Sequence, residues 1–213
     1  MAAKEKTGNA THTAMSDQQC IPPDPYAYLR QVSSFVLDSH DARDGEPLDP
    51  KFAHSWSAGS RDSSPELHWS GFPKETRSFV VTCYDPDAAT GSGFWHWMLV
   101  GLPPTTVSLA RGAGNGGDLP KGAFHIRNDL GGKAFLGPAP PKGDKPHRYV
   151  LAVHALDVAA LDVTEDMSPA FVGFNMGYHT LARAVMRVAP RRQRARDASD
   201  AARRARTPSL AST

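Results

Sequence analysis

Apolar residues along this chain fall into short runs, each closed by Gly, Pro or a polar turn, until one longer periodic stretch near the C-terminus. The first run is Ser33-Ser-Phe-Val-Leu37, followed by the turn-rich Asp41-Ala-Arg-Asp-Gly-Glu-Pro47. Leu67 to Trp69 form a brief apolar segment ahead of Gly71-Phe-Pro73. Two stronger runs come next, Ser78-Phe-Val-Val-Thr-Cys-Tyr84 and Phe94-Trp-His-Trp-Met-Leu-Val100. Both are rich in β-branched and aromatic side chains, which pack well on a pleated surface, so both predict strands. Residues 101–146 read mostly as loop, with Gly112-Ala-Gly-Asn-Gly-Gly117 and Gly137-Pro-Ala-Pro-Pro-Lys-Gly143 as the most turn-bound stretches. Arg148-Tyr-Val-Leu-Ala-Val-His-Ala-Leu156 is the last clear strand.

Ser168-Pro169 then has the form of a helix N-cap followed by Pro at the first helical position. Phe171, Phe174, Tyr178, Leu181, Val185 and Val188 recur at steps of three and four residues. That period predicts a helix over about 169–188, stopping before Pro190. The pattern as a whole predicts an all-β body with one C-terminal helix.

Composition agrees with that picture. A chain of 213 residues with 40% hydrophobic residues can bury one ordinary core, and 18 Gly with 18 Pro favour short strands and turns over a helical bundle. No run of about 18 apolar residues is present to cross a membrane, and the polar start MAAKEKTGNATHTAMSDQQC lacks a secretory signal, so a cytoplasmic protein is expected. Cys20 lies in the polar leader and Cys83 in an apolar run; reduced thiols are expected, and without a CxxC pair no zinc site is.

The formal net charge of +2 is unevenly spread. Beyond Pro190, seven arginines (191, 192, 194, 196, 203, 204 and 206) face only Asp197 and Asp200, a local charge of +5 that leaves about −3 for the rest. With acids interspersed and no aromatic residue, the tail reads as a solvated segment, not a specific nucleic-acid binder. The chain therefore divides into a polar N-terminal extension (1–30), a domain (31–189) and an Arg-rich tail (190–213).

Three polar groups call for explanation. Asp85-Pro-Asp87 follows a strand, where it can be a simple turn. His96 lies inside a strand, and alternation puts it on the face opposite Trp95 and Trp97. His147 and Tyr149 share a face at the head of the last strand, with Arg148 pointing away. Each has a bland structural reading. Together they place acid, two imidazoles and a phenol at or near strand ends, where they can converge on one concavity walled by the Gly137–Gly143 loop.

These motifs resemble the phosphatidylethanolamine-binding family. Val81-Thr-Cys-Tyr-Asp-Pro-Asp-Ala88 with His96 looks like its first signature, and Gly137-Pro-Ala-Pro-Pro-Lys-Gly143 with His147-Arg-Tyr149 like its second. Ser64-Pro-Glu-Leu-His-Trp-Ser70 and Asn128-Asp-Leu-Gly131 resemble the bacterial and archaeal, Raf-kinase-inhibitor-like branch, and the resemblance spans roughly residues 33–189. It implies a large antiparallel sheet packed on a smaller one, a β-sandwich with a C-terminal helix. It implies an anion pocket formed by Asp85, His96, His147 and Tyr149, with Asp87 as second acid and Ala139 and Pro141 lining the opening. Ala89 stands where the family usually has Pro, and Ser60-Arg-Asp-Ser-Ser-Pro65 replaces the common Gly-Asn-x-Ser-Pro, so those loops are expected to differ.

The function implied is binding of a small anion, such as phosphate or a phospholipid head group, with a kinase or protease as protein partner and a homodimer as assembly. No cofactor, metal or catalytic residue is expected, since the motifs hold no Gly-x-Ser-x-Gly elbow. The alternative is a metal-dependent or acid–base hydrolase using the same Asp/His pocket. Charge-assisted donors worth roughly 1.5–3 kcal/mol each, less desolvation, predict affinity between about micromolar and millimolar.

Overall fold

The computed structural model describes residues 23–55, 60–141 and 144–190. Ten strands and one helix follow in order: β1 (Ser33–Ser34), β2 (Val36–Asp38), β3 (Pro47–Leu48), β4 (Leu67–Ser70), β5 (Ser78–Asp85), β6 (Phe94–Leu102), β7 (Ser108–Leu109), β8 (Phe124–His125), β9 (Tyr149–Leu156), α1 (Pro169–His179) and β10 (Thr180–Pro190).

The large sheet runs β1-β10-β9-β5-β6-β8, with β3 also pairing β10, and the small sheet runs β2-β4-β7. The expected large antiparallel sheet is in fact mixed. Its central ladders are antiparallel, but β1 and β3 join β10 in parallel. Both belong to the chain that leads into the domain, and they come back alongside its last strand.

Both faces of the large sheet are covered, which explains why β5 and β9 read as near-continuous apolar runs and not as an alternation. On one face Phe79, Val81, Cys83, Trp97, Leu99, Leu151 and Val153 pack with Leu67, Trp69 and Leu109 of the small sheet. On the other, Val80, Met98, Val100 and Leu156 pack against Val172 and Met176 of α1. Residues of the expected N-terminal extension also lie on this body: Tyr26 meets the ring of His154 edge-on at 5.7 Å and carries the Arg183 guanidinium over its face at 4.4 Å. The leader with Cys20 and the Arg-rich tail beyond Pro190 lie outside the described residues. Cys83 is a buried free thiol.

The helix expected over 169–188 is half helix and half strand. Its N-terminus forms as predicted, with Ser168 Oγ accepting from the Phe171 amide and Pro169 in the first turn. It ends at His179, and β10 pairs with β9 from Thr180 to Val188. Phe171, Phe174 and Tyr178, which carried the helical period, are exposed, while Val172 and Met176 are buried. In β10 the buried hydrophobic positions are Ala182, Ala184, Met186 and Val188, a strict period of two. Two of those four are alanines, too weakly apolar to show that period against Leu181 and Val185 on the opposite side. Pairing with β9 decided the conformation.

Candidate functional site

Asp85 ends β5, His96 lies near the start of β6, and Tyr149 opens β9, so neighbouring strands of one sheet bring all three to the same end. His147 stands two residues before β9. Their exposures are 2% for Asp85, 5% for His96, 6% for His147 and 1% for Tyr149, which makes this a polar cluster almost closed to solvent. Buried polar groups persist where they are paired, so each bond at this cluster is informative.

Asp85 is the hub. Its Oδ2 accepts from His147 Nδ1 at 2.7 Å, and its Oδ1 accepts from the Asp87 backbone amide at 2.8 Å. His96 Nε2 lies 4.0 Å from the same Oδ2. The other nitrogen of His96, Nδ1, is 2.9 Å from the Leu136 carbonyl oxygen. A carbonyl only accepts, so Nδ1 carries the hydrogen and the neutral ring presents a lone pair at Nε2. Burial lowers the pKa of His96, against the opposing pull of the Leu136 bond and the Asp85 charge. His147 is held in the same sense: Nδ1 donates to the carboxylate, so in the neutral ring Nε2 is the acceptor. Beyond that Nε2, 3.8 Å away, lies the carboxylate of Asp144 on the loop before β9.

His96 reaches this cluster through a break in the strand. Pairing between β5 and β6 passes from Cys83↔Trp97 to Tyr84↔Trp95, which leaves His96 as the extra residue of a β-bulge. Strict alternation would put Trp95 and Trp97 on one face. Instead Trp97 joins the core beneath the small sheet, Trp95 packs with the α1 side, and His96 meets the ring of Tyr149 edge-on at 5.1 Å. The expectation that His96 faces away from both tryptophans is therefore corrected: only Trp95 is opposite. The bulge is pinned from outside, because Asp129 Oδ2 accepts from the Trp95 amide at 2.7 Å and the Trp95 carbonyl accepts from the Asp129 amide at 3.1 Å.

Tyr149 supplies the feature that most needs an explanation. Its hydroxyl is buried and has no hydrogen-bond partner among the described residues. The Ala139 backbone amide approaches it and eases its ionisation, but burial first, and then the Asp85 charge, push the phenol's pKa up. Beneath the ring lies an apolar void bounded in part by Cys83, Phe135 and Leu151, too tight for a water molecule.

The remaining expected residues divide. Ala139 is half-buried and Pro141 exposed, on the loop that walls the cluster. This loop is stitched down: Gly137 N donates to Asp62 Oδ1 at 2.8 Å and His54 N to the Pro138 carbonyl at 3.0 Å. A Cβ at Gly137 would run into the backbone of Phe52, Ala53 and His54, so only glycine permits that approach. Asp87 is not free to face a guest. Its Oδ2 accepts from the Arg148 amide at 2.7 Å and from Arg148 Nε at 2.8 Å, and its Oδ1 accepts from the guanidinium at 2.7 Å. Burial alone would raise the pKa of Asp87, but the bonds and charge of Arg148 hold it below the usual carboxylate range. Asp87 thus clamps the residue between His147 and Tyr149. Arg148, Asp129 and the Leu136 carbonyl were not singled out in the sequence; two act on backbone or through it, which leaves no residue pattern to find.

Two further observations bear on catalysis. Burial pushes the Cys83 thiol up, away from the thiolate a nucleophile needs. Among the described residues, the His/Cys/Asp/Glu group with ligand atoms within 4.8 Å of one another is His40, Glu66 and His68, not the Asp85 cluster.

With this geometry in place, comparison with known proteins is direct. The family model of phosphatidylethanolamine-binding protein matches residues 38–189. The chain belongs to the phosphatidylethanolamine-binding protein family. Within it, the chain is 48% identical over 150 residues to UPF0098 protein YbhB of Escherichia coli K12, covering 70% of this chain and 94% of that one. It is 43% identical over 160 residues to YbcL of the same organism, covering 74% and 87%. The crystal structure of E. coli YbcL, described as a new member of the mammalian PEBP family, superposes with a TM-score of 0.72 at 40% identity over 76% of this chain and all (100%) of that one. A family homologue from Chlamydia trachomatis gives a TM-score of 0.64 at 26% identity, over 76% of this chain and 99% of its own. The match covers the whole cluster, from Asp85 to Tyr149, and the sheets that carry it.

Proposed function

We propose that the Asp85–His96–His147–Tyr149 cluster binds a small anion, a phosphate or phosphate-bearing head group, and that the protein acts by binding and not by turnover. The observation that carries this reading is the buried Tyr149 hydroxyl without a partner, set beside two imidazoles whose Nε2 atoms are not committed to hydrogen bonds. A buried unpaired hydroxyl costs about 1–3 kcal/mol, and an anionic oxygen accepting from it removes that cost.

The two histidines set the conditions of binding. The His96 ring is anchored through Nδ1 and burial lowers its pKa, so it must take up a proton at Nε2 before it donates to an anion. Asp85, 4.0 Å from that ring, favours its cationic form once a guest arrives. Anion binding is accordingly coupled to proton uptake. Because the cluster is nearly closed, the guest is admitted by movement of the 139–141 wall and of the exposed Asp144 carboxylate that stands beside His147. The desolvation involved keeps affinity modest, between about micromolar and millimolar.

Calorimetric titration with inorganic phosphate, phosphoethanolamine and acetate tests the reading. Saturable binding that weakens at least tenfold in His96→Ala supports it. Identical isotherms for the wild type and that variant would reject it.

A further inference from the structure

A second cluster of chemistry-bearing side chains lies on the small sheet and shares no residue with the anion site. Glu66 and His68 flank the start of β4, and His40 sits in the turn after β2. The Glu66 carboxylate joins both: Oε1 accepts from His68 Nδ1 at 2.9 Å and Oε2 accepts from the His40 backbone amide at 2.8 Å. The two imidazole rings stand 5.1 Å apart. One ligand atom from each of the three residues lies within 4.8 Å of the other two.

The backbone beneath is fixed independently of these side chains. Ser39 Oγ donates to the Glu66 carbonyl and accepts from the Asp41 and Ala42 amides at 3.0 and 3.2 Å. Asp41 Oδ2 accepts from the Glu66 amide at 3.0 Å and from Arg111 Nε at 2.8 Å. The turn that presents His40 is thus fastened to the strand that presents Glu66 and His68. Asp38, paired with His68 in the β2–β4 ladder, places its carboxylate 3.9 Å from His68 Nε2.

We propose that His40, Glu66 and His68 form a site for a divalent transition-metal ion of the Zn²⁺ class. Two imidazole nitrogens and one carboxylate oxygen are a donor set such ions favour, whereas Mg²⁺ and Ca²⁺ call for oxygen ligands. Tetrahedral bonds of about 2.0–2.1 Å put ligand atoms roughly 3.4 Å apart. His68 and Glu66 are already near that spacing, and rotation of the exposed His40 ring closes the third side. The ion takes the place of the hydrogen between His68 Nδ1 and Glu66 Oε1, and in the neutral ring that hydrogen moves to Nε2, on the side where Asp38 stands. Asp38 is placed to hold the far nitrogen of His68, as carboxylates do behind metal-bound imidazoles. The fourth position is left to water or an added ligand.

Titration of the full chain with ZnCl₂ in a non-chelating buffer tests this. One ion per chain is expected, with affinity reduced at least tenfold in His68→Ala and again in His40→Ala, at a half-buried and an exposed side chain. MgCl₂ in the same buffer should give no saturable heat. His96→Ala, which alters the anion cluster, should bind Zn²⁺ as the wild type does. Undiminished Zn²⁺ affinity in the His40→Ala/His68→Ala double variant would overturn the proposal, as would loss of the ion in His96→Ala.

Discussion

Asp85 and His147, separated by 62 residues of chain, meet at 2.7 Å between Oδ2 and Nδ1 in surroundings that exclude water. One oxygen of Asp85 orients the imidazole while the other takes the Asp87 amide, so the turn after β5 and the approach to β9 are locked to the same carboxylate. Charge-assisted bonds in such surroundings are the strong ones. The pair sets which nitrogen of His147 faces outward, and with it the protonation chemistry of the site.

Tyr149→Phe separates stability from binding. The hydroxyl has no partner in the free protein, so its removal should leave stability unchanged or raise it by about 1 kcal/mol, since replacing an unsatisfied buried group with an apolar one is neutral or favourable. Phosphate affinity should fall roughly tenfold, the loss of one donor. Urea unfolding alongside calorimetry checks both. A marked loss of stability would mean the hydroxyl is paired after all.

Asp87→Ala should do the reverse. Asp87 gives both oxygens to Arg148, and the pair is only partly exposed, at 16% and 28% of side-chain area. Breaking a hydrogen-bonded pair of this kind should cost about 2–3 kcal/mol of unfolding free energy. Affinity should drop only through the loosened His147–Tyr149 segment, so that Asp87→Asn, which keeps an acceptor for the Arg148 amide, recovers most of it.

Acid stability should depend on His154. Burial, with a smaller contribution from Arg183, lowers its pKa from 6.5 to about 3. Between those values the unfolded chain holds a proton that the folded chain does not, so stability rises with pH across that window and is lost as pH falls through it. One such group gives a slope of up to about 1.4 kcal/mol per pH unit. His96 adds to the slope in the same direction. Arg183 Nε donates to His154 Nδ1 at 3.3 Å, so chemical denaturation at stepped pH should show a shallower acid limb in His154→Asn, whose amide oxygen can take the place of Nδ1; an unchanged limb would assign the acid sensitivity elsewhere.

Much of this was legible in the sequence, and the exceptions share a cause. The strands β4, β5, β6 and β9 were visible because burial on one or both faces demands apolar runs, and Ser168-Pro169 announced the helix by its cap. Asp85, His96, His147 and Tyr149 were found through motifs, and the sheet brings them together. What failed was anything decided by pairing partners far along the chain. β10 was read as helix because Ala182 and Ala184 hide its period of two. The side to which His96 turns was misread because a bulge, pinned by Asp129 thirty-three residues away in the chain, leaves no mark in local alternation. The bonding of Asp87 to Arg148 was also not legible, because its motif position says nothing of that partner. The parallel contacts of β1 and β3 with β10 are likewise invisible in runs two residues long.

The most direct measurement is nitrogen NMR of the two imidazoles during a phosphate titration at pH 7, with proton uptake followed in parallel. In the free protein, Nδ1 of His96 should carry the hydrogen and Nε2 should not. Saturation with phosphate should protonate Nε2 of His96, with net proton uptake and with affinity that falls as pH rises. Phosphate binding that leaves the His96 Nε2 signal unchanged, or that takes up no proton, would contradict the anion site described above.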